Sequence, residues 1–124
     1  MTKEEFTFDS ERNEYVFKAI GTEIKIDGDA FSDTTVTLAG NILDAYPDKI
    51  NSIVDHLVDE GHIDDFFDVP KDEIANKLHA PSFRIIEKEW CVLTYTEHEL
   101  DDVHIISVEF SGVLNDLNYV TIDG

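Results

Sequence analysis

The sequence predicts an α+β fold: an antiparallel sheet from N-terminal and C-terminal strands, with two or three helices from the middle packed on one face. Three observations lead there. Apolar and polar residues alternate near both ends of the chain, as they do in strands with one wet face. In the middle the apolar residues recur at helical spacing. The order strands, helices, strands favours helices segregated onto one face of an antiparallel sheet. At 124 residues with 42% hydrophobic content, the chain fits one domain over residues 1–124 with a proper core.

The first strands come from Phe6 and Phe8 around Thr7, from Tyr15-Val16-Phe17 running towards Ile20, and from Ile24 and Ile26. Glu11-Arg12-Asn13 reads as a turn, and Gly21 breaks the second run. Asp27-Gly28-Asp29 ends the sheet segment, and Ser32 or Asp33 caps a helix through Val36, Ala39, Leu43 and Tyr46. The β-prone run Thr34-Thr35-Val36-Thr37 works against that helix. Pro47 suits the first turn of a second helix, where its missing N–H costs little. Ile50, Ile53, Val54, Leu57 and Val58 form one apolar stripe, the strongest periodic signal in the chain, and Gly61 reads as its C-cap. Residues 64–68 read as an acidic-aromatic connector, and Pro70 opens a short helix through Ile74, Ala75 and Leu78 that Pro81 ends. Four strands follow, over 83–86, 90–95, 104–110 and 119–122.

Charge is the most informative bulk property. Asp and Glu number 28 against nine Lys and Arg, a net charge of −19. Such a surface repels nucleic acid and anionic membranes and attracts basic proteins. It is also unevenly spread. No Lys or Arg lies between Lys49 and Lys71, where Asp55, Asp59, Glu60, Asp64, Asp65 and Asp68 do, and none follows Lys88. The single Cys91 sits in the apolar run Trp90-Cys91-Val92-Leu93 and reads as a buried small hydrophobe. That placement, with no signal-like N-terminus and no window near the roughly 18 apolar residues of a membrane span, predicts a cytoplasmic protein.

Motifs for chemistry fail on spacing. Asp27, Asp29 and Asp33 resemble the start of a calcium loop, but Phe31 and Leu38 stand where oxygen ligands are needed. A turn with a helix cap accounts for them. His56, His62, His79, His98 and His104 include no H-x-x-x-H pair. His98, Asp101, Asp102 and His104 are close in sequence, yet a metal needs three or four converging ligands. No nucleophile elbow, P-loop or G-x-G-x-x-G is present. The reading is therefore of no catalytic, metal or cofactor site.

The C-terminal third carries a resemblance. Leu78-His79-Ala80-Pro81-Ser82-Phe83-Arg84-Ile85 is followed by Trp90, Tyr95, Asp102-Val103-His104-Ile105-Ile106-Ser107-Val108 and the closing Ile122-Asp123-Gly124. This resembles a group of small acidic bacterial α+β domains of unknown function, some of which lie near polymorphic toxins as candidate immunity proteins. The resemblance implies α+β architecture and no established activity. It makes His104 a strand histidine that bonds across a hairpin to a carbonyl and fixes the fold.

Composition and resemblance together predict a non-enzymatic acidic protein-binding domain, an immunity protein or inhibitor of a basic toxin or nuclease. Its partner-binding residues are Asp59, Glu60, Asp64, Asp65 and Asp68, with Phe66 and Phe67 as apolar anchors. The competing sequence reading of both Phe is packing beneath the helices. The alternatives are an uncharacterised housekeeping domain, a DNA-mimic regulator and a metal-dependent hydrolase centred on the His98–His104 segment.

Overall fold

In a computed structural model that describes residues 1–19 and 21–124, the chain forms a seven-stranded sheet with three α-helices and two short 3-10 turns. The strands are β1 Thr7–Asp9, β2 Glu14–Ala19, β3 Thr22–Asp27, β4 Ser82–Glu87, β5 Trp90–Tyr95, β6 Ile105–Ser111 and β7 Asp116–Asp123. They lie side by side in chain order. The helices α1 Asp33–Asp59, α2 Ile63–Phe67 and α3 Lys71–Leu78 all fall between β3 and β4. The fold is mixed α+β. The predicted continuation of the second strand to Ile20 lies outside the described residues.

The sheet is not wholly antiparallel. β3 and β4 pair in parallel, with Ile24 opposite Phe83 and Ile26 opposite Ile85. Parallel neighbours need a long crossover, and here all three helices supply it. The other neighbouring pairs are antiparallel.

Alternation places one set of strand residues in the core. Ile24, Ile26, Phe83, Ile85, Cys91, Leu93, Tyr95, Ile106, Val108 and Phe110 are buried, and α1 lies against β3, β4 and β7. Val36, Ala39, Ile42, Ile53, Val54 and Leu57 of α1 join the same core, with Ile63 of α2 and Ile74 and Leu78 of α3. Each large side chain so buried contributes roughly 1.5–3 kcal/mol. Burial pushes the Cys91 thiol up to about 11, so it stays protonated and behaves as a small hydrophobe.

The two helices expected on either side of Pro47 are one. Its 27 residues span about 40 Å, and Pro47 lies inside. Packing of the apolar stripe on both sides outweighs one lost hydrogen bond. The β-prone Thr35 is absorbed by the cap: its N–H donates to Ser32 Oγ (3.2 Å), the Ser32 N–H donates to Thr35 Oγ1 (3.0 Å), and that hydroxyl donates to Ala30 O (2.8 Å). Gly61 is not the left-handed residue after α1; His62 is, at φ 51°. Glycine is required at 61 by crowding, since a Cβ there would come 2.6 Å from Val120 Cγ1 and 2.7 Å from Leu57 O.

Candidate functional site

The expected partner-binding residues surround the end of α1 and the whole of α2. Asp59 ends α1, and Glu60 caps it with its N–H on His56 O. Segment 64–68 is largely helical rather than a plain connector: Asp64, Asp65, Phe66 and Phe67 belong to α2, and Asp68 closes it in a left-handed conformation at φ 53°. Asp64 and Asp65 occupy its first turn, where negative charge suits the free N–H groups. Ile63 is fully buried and pins the helix to the core. Asp59, Glu60, Asp65 and Asp68 are exposed, and Asp64 is half-buried.

The two Phe divide their roles. Phe67 packs against the core, while Phe66 is 54% exposed. Both meet the loop between β5 and β6. The Phe66 ring stands edge-on to His104 at 5.0 Å between centroids, and Phe67 lies 5.9 Å from His98 and 6.0 Å from His104. The two segments that the sequence separates, 59–68 and 98–104, therefore form one surface. Val103 and Ile105, on either side of His104, are exposed as well.

The carbonyl bond expected of His104 is made by His98, and His104 lies just before β6 rather than within a strand. His98, not His104, is the buried one that bonds across the hairpin: its Nε2–H donates to His104 O at 2.6 Å, and its Nδ1 accepts from the Leu100 N–H at 3.0 Å. Both ring nitrogens are thus engaged within the protein. The His104 Nδ1–H donates to Asp101 Oδ2 at 2.5 Å, and the N–H groups of Val103 and His104 donate to Asp101 Oδ1. Desolvation raises the Asp101 carboxyl, but these backbone and ring donors outweigh it and bring it to about 2. Asp102 is exposed, and among the described residues no group of three His, Cys, Asp or Glu side chains is arranged to hold a metal ion.

The charge at this end is barely compensated. Lys71 is its cation, 2.8 Å from Asp55, whose hydrogen bond holds the ammonium above its ordinary range with help from Asp59 and Asp64. Asp59, Glu60, Asp64, Asp65 and Asp68 have no Lys or Arg within ion-pair distance among the described residues. Cations gather instead on the sheet face opposite the core. There Arg84 bonds Glu14 and, at 2.6 Å, Asp27, while Lys25 lies 3.4 Å from both Glu14 and Glu23. Glu14 is 1% exposed, a buried carboxylate tolerated because two cations face it. Sequence reasoning missed it. The available signal was the strand pairing that sets Glu14 opposite Asp27 and Lys25 opposite Arg84.

A concavity of about 810 Å³ is bordered by Glu23, His79, Pro81, Thr96 and Glu97, with no residue of α2 in its lining. Its histidine is paired, with Nε2 2.6 Å from Glu99 Oε2. No helix among the described residues is long and apolar enough to cross a membrane. Comparison with known proteins finds no family model, no curated protein and no solved structure that matches the chain.

Proposed function

We propose that the chain is a non-enzymatic protein-binding domain of the inhibitor or immunity kind, acting in a reducing compartment on a basic protein partner. The observation that carries this reading is the meeting of barely compensated acids with exposed apolar groups at one end. Asp59, Glu60, Asp64, Asp65 and Asp68 supply the field, and Phe66 beside His104 supplies an anchor. Acids steer a basic partner and raise its association rate, while a desolvated aromatic holds it. A nuclease or toxin that grips phosphate is positive where it works, so an acidic plug suits it. The resemblance of segment 78–124 to the candidate immunity domains points the same way.

The test is a capture from lysate at low salt, repeated with two charge-matched variants. Asp64→Lys with Asp65→Lys reverses charge on α2, and Asp72→Lys with Glu73→Lys reverses the same amount on exposed positions of α3. The expected result is one basic protein at fixed stoichiometry, with association slowed roughly tenfold by the α2 pair and little changed by the α3 pair. Equal rates for both variants would remove α2 as the surface.

A further inference from the structure

We infer that the outer edge of β7 is a strand-addition site for an extended segment of the basic partner; this rests on the reading just given. β7 is the last strand of the sheet and pairs with β6 alone. Along such an edge, alternate N–H and C=O groups point outward with nothing to bond, a template for another chain. Proteins commonly blunt long edges with Lys, Pro or brevity. β1, the opposite edge, is three residues long. β7 has eight residues, with Asp116 and Asp123 at its two ends and neither charge nor Pro between them.

Part of β7 is already occupied. The register shifts between Val108 and Phe110 of its partner strand, and the His56 Nε2–H donates to the Asn118 carbonyl at 2.6 Å. Beyond this the ladder is regular, pairing Val120 with Val108 through to Asp123 with Ile105. Residues 120–123 are therefore the open segment. Tyr119 is 77% exposed, and Thr121 and Asp123 are exposed beside it.

Charge selects the occupant. A second copy brings another −19, and no Lys or Arg follows Lys88 to relieve the repulsion. A basic extended segment gains the same field that a copy would oppose. The end of β7 also joins the acidic surface, because Gly124 lies against the Val103 carbonyl and the His104 ring. A strand added to β7 therefore continues from the patch around Phe66. Backbone pairing supplies affinity in this mode, and alternate side chains supply selectivity.

The test uses a short synthetic peptide of alternating Lys and Val, and the same peptide N-methylated on the residues whose N–H groups would pair. Charge and side chains are unchanged between them. The expected result at low salt is slowed hydrogen exchange at alternate amides of 120–123 with the parent peptide, and binding weaker by roughly tenfold or more with the methylated one. In the Asp64→Lys/Asp65→Lys variant the parent associates more slowly but protects the same amides. Equal binding of the two peptides without protection in β7 overturns strand addition and leaves the acidic surface standing. Protection that appears without peptide and rises with protein concentration overturns it in favour of self-pairing. No binding of either peptide overturns both readings.

Discussion

His98 and His104 are six residues apart and differ in what their rings face. His98 is enclosed, and its two nitrogens close the 98–104 loop on itself. His104 is half-buried and leans on Asp101 on one side and Phe66 on the other. The ordinary Asp value is 3.8, and in the fold Asp101 sits at about 2, so the unfolded chain binds the proton more readily. Its contribution to stability is therefore complete above about pH 4 and vanishes as pH falls through about 2. Asp101→Asn keeps an oxygen for the Val103 and His104 N–H groups but removes the charge that His104 faces. The variant is expected to be less stable at neutral pH, with the gap to the parent closing between pH 4 and 2 in urea titrations. A gap that is constant with pH would show that the carboxylate charge does not hold the loop. The sequence shows two histidines beside two acids. It cannot show which ring turns inward, because that depends on Phe67 arriving from α2 and on how the loop folds the His104 carbonyl back onto His98.

At the scale of elements, what was legible followed from local pattern. The strand at 90–95 and the capped start of α1 are written in alternation and in Ser32, and both form where the pattern places them. The stop at Pro47 is a local rule that tertiary packing overrides. Pro47 is exposed and lies mid-helix, so it leaves the Leu43 carbonyl without its usual donor. Pro47→Ala restores that N–H and removes little packing. It is expected to raise stability by roughly 1–3 kcal/mol with an unchanged denaturant slope. A loss of stability would mean that α1 needs the bend a proline imposes to seat on β3, β4 and β7. The parallel pairing of β3 with β4 was not legible either. Strand direction across a connection of several helices depends on where the chain returns, which no local signal encodes.

Across the whole molecule, charge is sorted. Lys18, Lys25 and Arg84 lie on the open sheet face among Glu14, Glu23 and Asp27, whereas the α2 end carries five acids with no Lys or Arg within ion-pair distance among the described residues. Composition announces the total, the sequence shows the run of acids between Lys49 and Lys71, and the fold adds that cations are paired with acids on the open sheet face. Repulsion concentrated at one end has a thermal consequence. Screening lengths fall from about 30 Å at 0.01 M salt to about 10 Å at 0.1 M, so most relief arrives within that range. The melting temperature is expected to rise with sodium chloride over this interval and then level off. Asp64→Asn with Asp65→Asn removes repulsion at its densest point and is expected to lessen that rise more than Asp72→Asn with Glu73→Asn on α3. Equal salt slopes for the two pairs would mean that the field is spread over the surface. In that case α2 has no electrostatic distinction, and a basic partner is drawn to the molecule without being directed to Phe66.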